Sequence, residues 1–215
     1  MVTQSYKIKM IAMTDHPVSV MYQRNVLPSW KKNGYKVDVF EAVTPKDLVY
    51  KTKLEFGQKS ERDFTSTEKA VWYSHFELWC ECYNNGPLVI IEHDSLLVKP
   101  LPDMSKEGYK FLSYLNRDFG KKGIHIAPGS GYYLTPNAAS RLIATAVSKP
   151  IRQNSDGHLA STLSLDKQVK MNDYCYIEQV NYDGLNTIDH RNPNRKFVGL
   201  DYENFDIPGL HGQTL

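Results

Sequence analysis

The stretch PLVIIEHDSLLVKP, residues 87–100, joins a short apolar run to a charged turn. Four apolar residues, Leu88 to Ile91, follow Gly86-Pro87, and such a run between turn residues is typical of a buried strand in a parallel sheet. The run ends directly in Glu92-His93-Asp94. Ligands of open α/β folds bind at the carboxyl edge of the sheet. The charged turn is therefore either a surface turn or the rim of a binding site.

The segment before this stretch predicts a βαβ unit. Residues 6–13 and 33–43 have the patterns of strands, and the residues between them have helical spacing. Thr14 or Asp15 is expected to cap the intervening helix, and Pro17 suits its first turn. A proline inside a helix removes a hydrogen bond and clashes with the preceding turn, so Pro28 is expected to break or kink this helix.

A second helix is predicted immediately before the quoted strand. Thr65-x-x-Glu68 forms a capping box at its start, and Asn84-Asn85-Gly86 marks its end. Thr135 and Pro136 have the same cap and first-turn relationship for a third helix. Further strands are predicted within residues 108–115, 123–127 and 175–180, and a short strand is predicted between the glycine turn 129–131 and Thr135. The alternation of strands and helices indicates an α/β fold.

Composition allows one ordinary α/β domain of 215 residues, and we expect a single domain over 1–215. The lysine-rich segment 46–63 is expected to be a mobile loop, and 191–215 an irregular C-terminal tail. A net charge of +2 is too small to indicate nucleic-acid or membrane binding by itself. No apolar run approaches the ~20 residues of a membrane span, and the first ten residues lack a signal-peptide core. A cytoplasmic location is therefore expected, in the host if the chain is phage-encoded.

Glu92 and Asp94 are two residues apart, and acids at that spacing after a strand can direct carboxylate oxygens to one divalent cation. Mg2+ and Mn2+ take oxygen ligands and keep positions open for substrate phosphates. A metal phosphohydrolase would use such a turn to activate water, but it would need further His and Asp ligands, and the sequence does not supply an evident set. The same two acids are also compatible with a simple charged turn.

The block FTSTEKAVWYSHFELW, residues 64–79, together with the quoted strand resembles the signature region of glycosyltransferase family 25. That family includes bacterial lipooligosaccharide and procollagen galactosyltransferases. The residues that match its pattern at the right spacing are Glu68, Ser74, His75, Trp79, Glu92 and Asp94. His93 is a departure, because the family more often has adjacent acids. Residues 11–45 and 129–143 are similar to the family more loosely.

The resemblance implies the nucleotide-sugar-binding GT-A fold, a Rossmann-like mixed sheet with helices on both faces. It also implies a site. Glu92 and Asp94 would hold Mn2+ or Mg2+ with help from His211, and Asp156 would be the catalytic acid-base residue. The residues implied in donor binding are Arg24, Gly129, Ser130 and Gly131, and those implied in support are Glu68, Ser74, His75 and Trp79. Each has a simpler alternative: His75 and Trp79 suit core packing, the glycines suit a tight turn, and Asp156 suits a helix cap.

The function expected from the resemblance is an inverting, metal-dependent hexosyl- or pentosyltransferase with a nucleoside-diphosphate sugar donor, most simply a UDP-sugar. The acceptor is a hydroxyl on a saccharide or glycoconjugate, or on a hydroxymethylated or glycosylated DNA base, as in phage DNA modification. The DNA alternative is motivated by the lysines of 46–62 and by the basic segment 190–196. A non-catalytic binding module of the same fold is the other alternative, and His93 is its support. The donor sugar and the oligomeric state are left open.

Overall fold

The computed structural model describes residues 6–59, 62–113, 115–117, 125–127, 130–163 and 176–180. The helices are α1 (Pro17–Lys32), a 3-10 helix (Pro45–Tyr50), α2 (Ser66–Asn85), α3 (Pro136–Ser148) and α4 (Ser155–Leu163). The strands are β1 (Lys7–Ala12), β2 (Val37–Glu41), β3 (Leu88–Glu92), β4 (Ser95–Leu97), β5 (Tyr109–Phe111), β6 (Leu115–Arg117), β7 (His125–Ala127), β8 (Gly131–Leu134) and β9 (Ile177–Gln179).

The main sheet is mixed and has the strand order β2-β1-β3-β8-β5. Strand β1 runs parallel to both β2 and β3, whereas β8 is antiparallel to β3 and to β5. Ile91 of β3 therefore lies between Met10 of β1 and Gly131, the first residue of β8. The carboxyl ends of the three parallel strands and the beginning of β8 meet at one edge of the sheet. The acidic turn lies at this edge.

Helices cover both faces of the sheet, which confirms the predicted mixed α/β architecture. On one face, α2, α3 and α4 pack against alternate residues of β3 and β8, with Trp72 and Trp79 at the centre. On the other face, α1 and the two-stranded β4-β9 ribbon enclose a second core that includes Trp30 and Ile177. The full burial of β3 on both faces explains its continuous apolar sequence.

Helix α1 differs from the prediction at its start and at Pro28. Its N-cap is His16, with no side-chain cap, and the predicted cap at Thr14 or Asp15 is wrong. Thr14 Oγ1 instead donates to Glu41 at 2.6 Å. The helix also continues through Pro28 to its end. A proline in a helix interior costs ~3 kcal/mol, and the complete burial of the neighbouring side chains Val26 and Trp30, each contributing ~1.5–3 kcal/mol, offsets that cost.

The predicted start and end of α2 are both confirmed. Thr65 Oγ1 accepts a hydrogen bond from the Glu68 backbone N–H at 3.2 Å, and the Glu68 carboxylate accepts one from the Thr65 N–H at 2.9 Å. The helix ends at Gly86, whose φ of 107° is a conformation that favours glycine. The predicted cap and first turn of α3, Thr135 and Pro136, are also as expected.

The segment 46–63 was expected to be a loop, and the structure places a 3-10 helix at its beginning. The part that follows is attached to α2. The Tyr73 hydroxyl accepts a hydrogen bond from Leu54 N and donates one to Lys51 O, both at 3.0 Å. Phe56 makes edge contacts with the rings of Phe64 and Trp72. These aromatic contacts explain why a lysine-rich stretch packs on the helix. The predicted tail, 191–215, lies outside the described residues.

Candidate functional site

The backbone of the acidic turn is fixed at the sheet edge. Glu92 closes β3 opposite Ile11 of β1. Its N–H donates to the carbonyl of Ser130 at 3.0 Å and lies 3.1 Å from Ser95 Oγ. Ser95 Oγ in turn donates to the same Ser130 carbonyl. The residue before β8, which the sequence assigned to donor binding, therefore lies directly beside Glu92.

Asp94 is held in place at only one of its two carboxylate oxygens. Its side chain is 7% exposed. Oδ2 accepts a hydrogen bond from Gln179 Nε2 at 2.9 Å, and the Asp94 carbonyl accepts one from Val180 N at 2.9 Å. Oδ1 is buried and has no hydrogen-bond partner among the described residues. A buried carboxylate oxygen without a partner is costly, which makes this oxygen a candidate ligand for a cation.

The electrostatics of the two acids suit a cation. Burial raises the pKa of both Glu92 and Asp94, and the charge of Glu92 raises the pKa of Asp94 further. Two neighbouring carboxylates repel each other when both are ionised, and a divalent cation between them would remove that repulsion. Their oxygens are the ligand type that Mg2+ and Mn2+ prefer.

A third protein ligand is not found in the described part of the chain, where no three His, Cys, Asp or Glu side chains are placed to hold one metal. His93 points elsewhere, because its ring packs against Tyr22 with the ring centres 5.2 Å apart. Burial, aided by the charge of His16, lowers the pKa of His93 to about 4. His93 is therefore a neutral wall residue at physiological pH. His211, the third ligand implied by the resemblance, lies outside the described residues.

A chain of buried hydrogen bonds leads from Trp79 toward Glu92. The indole Nε1–H of Trp79 donates to the Tyr132 hydroxyl at 3.0 Å, and that hydroxyl lies 2.7 Å from His75 Nδ1. Because an indole can only donate, the tyrosine proton is available to His75. The remaining ring nitrogen of His75, Nε2, faces Glu92 Oε1 at 3.6 Å. The chain orients a His75 N–H toward the metal-binding carboxylate predicted from the sequence.

Asp156 lies in the first turn of α4, and its charge affects the pKa values of His75 and Tyr132. Burial lowers the pKa of His75 to about 4, and the charge of Asp156 partly opposes this shift. Burial also raises the pKa of Tyr132, to which the charges of Asp156 and Glu92 both contribute. The structure thus brings Asp156 and the acidic turn into electrostatic range of one tyrosine hydroxyl, although they are 64 residues apart in sequence.

A pocket of about 200 Å3 opens beside Glu92 and His93. Its walls come from the end of β1, from residues 42–45 after β2 and from one face of α2. Ser74 fixes two of these walls together, because its Oγ accepts from Val43 N at 2.9 Å and donates to Ala70 O at 3.1 Å. Ser74 and His75, both assigned from the sequence, line this pocket. The pocket lies at the carboxyl edge of the parallel strands, where the sequence placed the site.

The predicted donor-binding residues are placed differently from one another. Ser130 is 1% exposed, and its Oγ has no hydrogen-bond partner among the described residues. A Cβ on Gly131 would lie 2.7 Å from Ile177 Cδ1 and 3.2 Å from Ile91 Cγ2, so close packing accounts for this glycine. Arg24 is exposed on α1 and does not line the pocket. Gly129 lies outside the described residues.

Glu68 and Trp79, the remaining supporting residues, stabilise the elements that carry the site. Glu68 is 7% exposed and accepts hydrogen bonds from Lys59 Nζ at 2.7 Å and Arg62 Nη1 at 2.8 Å. The hydrogen bond from Arg62 is the main reason why the pKa of Glu68 lies well below its usual range. Trp79 is fully buried in the core. It reaches the site only through Tyr132.

Two residues of this site, Tyr132 and Gln179, were not predicted. Tyr132 lies in a strand that the sequence did identify, and alternation along that strand separates it from Tyr133, which faces the other core. That alternation does not by itself reveal a partner for the hydroxyl. Gln179 reaches Asp94 only because β9 pairs with β4. No local sequence signal indicates this pairing.

Residues 23–121 match the sequence model of glycosyltransferase family 25, described as an LPS biosynthesis protein. No curated protein sequence matches the chain. Among solved structures, the chain is similar to a "glycosyltransferase involved in the glycosylation of the major capsid of PBCV-1". That similarity has a TM-score of 0.43 and 8% identity, over 75% of this chain and 76% of the other.

The family match covers α2, β3 and the whole acidic turn, which are the elements that line the pocket and carry both carboxylates. The match therefore confirms the resemblance to glycosyltransferase family 25 that the sequence showed, and it includes the motif residues on which that resemblance was based. Residues 23–121, slightly less than half of the chain, are similar to glycosyltransferase family 25, and this match supports glycosyltransferase activity.

Proposed function

We propose that the chain is a metal-dependent, inverting glycosyltransferase that moves a sugar from a UDP-sugar to an acceptor hydroxyl and releases UDP. The observation that carries the proposal is the pair Glu92 and Asp94 at the carboxyl edge of β3, with Asp94 Oδ1 buried and unpaired among the described residues. This pair adjoins a pocket formed by the ends of the parallel strands. A nucleoside in that pocket would direct its diphosphate toward the two acids.

The residues present fit a divalent cation, Mn2+ or Mg2+. When bound, such an ion would stabilise the negative charge that develops on the departing nucleoside diphosphate. Glu92 and Asp94 would hold it through carboxylate oxygens. His75 would hold Glu92 in position, because its Nε2 faces Oε1 at 3.6 Å, and the Trp79–Tyr132–His75 hydrogen bonds fix the orientation of the ring.

The pocket supports a small nucleobase as the recognition element of the donor. Its volume of about 200 Å3 is modest, and much of its wall comes from apolar side chains such as Ile11 and Val71. His16 and His93 supply ring surfaces at the opposite side. The volume is sufficient for one nucleobase, and the choice of UDP as the donor nucleotide follows from the resemblance.

Asp156 is proposed as the residue that takes the proton from the acceptor hydroxyl. Its charge is felt at His75 and at Tyr132, so it lies near the acidic turn without being part of the cation pair. In an inverting transfer, the acceptor oxygen attacks the anomeric carbon, its proton goes to the base, and the diphosphate leaves from the opposite face. The positions of Asp156 and of the carboxylate pair suit these separate roles.

A saccharide or glycoconjugate acceptor is favoured over modified DNA. The DNA alternative depended partly on the lysines of residues 46–62. Two of them are engaged within the protein, since Lys51 pairs with Glu77 and Lys59 pairs with Glu68. Lysines neutralised in this way contribute less to phosphate tracking along DNA. A DNA gel shift at low and high salt tests the alternative directly.

The experiment that tests the proposal is a thermal-shift series with UDP, GDP, CMP and ADP, each with and without Mn2+. A ligand that binds the folded state raises the stability, by ~2.7 kcal/mol at a hundredfold excess over Kd. We expect a shift with UDP that requires Mn2+ and disappears in Asp94→Ala. The matched control is Asp103→Ala, because Asp103 is exposed and its carboxylate accepts hydrogen bonds from the neighbouring Ser105.

Turnover of UDP-sugars then separates the enzyme from the alternatives. Release of UDP that depends on an added acceptor, and that is lost in Asp156→Asn, supports the transferase. Nucleotide binding without turnover would favour the binding module, and acceptor-independent cleavage would favour a hydrolase. No shift with any nucleotide, with or without Mn2+, would overturn the proposal.

A further inference from the structure

The β4-β9 ribbon brings a distant residue to the acidic turn. Strand β9 pairs with β4 in an antiparallel register that places Gln179 opposite Ser95. The preceding residues anchor the strand to β5, because Tyr176 N and Ile177 N both lie within hydrogen-bonding distance of Leu112 O, at 2.9 and 3.1 Å. Ile177 is fully buried. Gln179 is therefore presented from a strand that is fixed on two sides.

Gln179 binds one oxygen of the Asp94 carboxylate and leaves the other oxygen available. Its Nε2–H donates to Oδ2 at 2.9 Å. The next residue, Val180, donates its backbone N–H to the Asp94 carbonyl at 2.9 Å. These two bonds hold the side chain and the main chain of Asp94 from the same strand. Oδ1 is left without a hydrogen-bond partner among the described residues, although it is buried.

We propose that Gln179 is a positioning residue that orients Asp94 so that Oδ1 is presented to the cation. This inference rests on the proposed function, since it requires a metal at Glu92 and Asp94. Gln179 itself does not touch the ion. The residue type is suited to this role, because an amide N–H donor satisfies one carboxylate oxygen without adding a positive charge that would compete with the metal.

Asp94 needs a positioning residue because it ends a turn, and no described side chain other than Gln179 forms a hydrogen bond with its carboxylate. Without the amide, the side chain of Asp94 can rotate, and binding the cation must then include the entropic cost of ordering it. Residues that orient a metal ligand typically alter metal affinity by ~10–100-fold when they are replaced. We expect a weakening of Mn2+ affinity in this range when the amide is removed.

The test measures Mn2+ binding directly, by the loss of the EPR signal of free Mn2+ on titration with protein. Gln179→Met keeps the approximate shape and removes the donor, and Gln179→Asn keeps the amide but shortens its reach. The matched control is Gln153→Met, because the Gln153 amide donates to the exposed Ser161 Oγ at 2.8 Å. Circular dichroism melts establish that each variant is folded before titration.

The expected result is a Kd for Mn2+ that rises ~10–100-fold in both Gln179 variants and is unchanged in Gln153→Met. If the wild type binds Mn2+, Asp94→Ala does not, and a folded Gln179 variant binds like the wild type, then the role of Gln179 is overturned while the proposed cation site stands. If the wild type itself does not bind Mn2+, the cation site and the role of Gln179 both fail. If Gln179→Met does not fold, Gln179→Asn gives the same decision.

Discussion

The Tyr132 hydroxyl lies between two buried nitrogen atoms, Trp79 Nε1 and His75 Nδ1. Neither nitrogen has another hydrogen-bond partner among the described residues. The hydroxyl accepts from Trp79 Nε1 and lies 2.7 Å from His75 Nδ1. Tyr132→Phe leaves both of these groups unsatisfied, and each such buried group costs ~1–3 kcal/mol. We therefore expect the free energy of unfolding, measured by urea titration, to fall by ~2–6 kcal/mol, the sum for the two groups.

Tyr133→Phe is the matched control for this prediction. Tyr133 is the next residue in the same strand and is 4% exposed, but it faces the other core and packs against Tyr6. Its hydroxyl makes no hydrogen bond to any residue that the structure describes, so its removal should change the stability by less than ~0.5 kcal/mol. Equal effects from the two substitutions would contradict the hydrogen-bonded chain.

At this scale, the sequence could indicate which residue types stand at the sheet edge but not which contacts they make. Glu92, Asp94 and His75 were identified by spacing and resemblance. Gly131 was also identified, but for donor approach, whereas the structure gives it close contact with Ile177. Ile177 lies 46 residues further along the chain, and only the folded arrangement shows that a Cβ has no room there.

Among the elements, α2 depends on contacts that Lys59 and Arg62 make at its N-terminus. Arg62 and Lys59 both pair with Glu68, which also accepts from the Thr65 N–H in the capping box. Glu68→Gln keeps the shape but removes the charge. We expect it to lower the free energy of unfolding by ~1–2 kcal/mol at pH 7, since a cap and a partly exposed ion pair are lost.

The pH dependence of this effect has a definite sign. Hydrogen bonding from Arg62, with Lys59 and Thr65 adding to it, holds the pKa of Glu68 well below its ordinary value. The folded state then binds fewer protons there than the unfolded state does. The stabilisation is complete above about pH 4.5 and is lost as the pH falls below it. Urea titrations from pH 7 to pH 3 should show the difference between wild type and Glu68→Gln narrowing below pH 4.5.

Glu107→Gln serves as the control, because the Glu107–Lys110 pair is exposed and joins residues three apart. It should change the stability little at any pH. A Glu68→Gln deficit that is constant from pH 7 to pH 3 would show that shape, rather than charge, stabilises this helix end.

Element boundaries were predictable where the signal is local. The capping box of α2, the glycine at its end and the Thr135-Pro136 start of α3 are short-range patterns, and each was found as expected. The continuation of α1 through Pro28 was not predictable, because burial of Val26 and Trp30 against distant residues decides it. The packing of residues 51–59 on α2 likewise depends on aromatic contacts made across the fold.

Over the whole molecule, the site has two parts that different portions of the chain supply. The pocket is formed by residues between 11 and 93, whereas the hydrogen bonds to Asp94 come from Gln179 of β9 and from Val180, which follows it. The first part lies largely within the family match at 23–121 and could be predicted from sequence. The second depends on a strand pairing between residues 80 to 84 positions apart, for which the sequence carries no periodic or motif signal.

This division predicts that nucleotide binding and cation binding can be separated by substitution. Val71 of α2 lines the pocket, whereas Asp94 does not. A tryptophan there would fill much of a pocket of about 200 Å3, so Val71→Trp should abolish the thermal shift caused by UDP with Mn2+. The Kd for Mn2+ alone should remain that of the wild type, because Glu92, Asp94 and Gln179 keep their contacts.

Val147→Trp is the control, because Val147 is 54% exposed on α3 and does not line this pocket. It should leave both the UDP shift and the Mn2+ affinity unchanged. A UDP shift that persists in Val71→Trp would mean that the nucleoside binds elsewhere on the molecule. Loss of Mn2+ binding in a folded Val71→Trp protein would mean that the two parts act as one site. Separate responses would establish that the pocket recognises the nucleoside while the ribbon-supported carboxylate binds the cation.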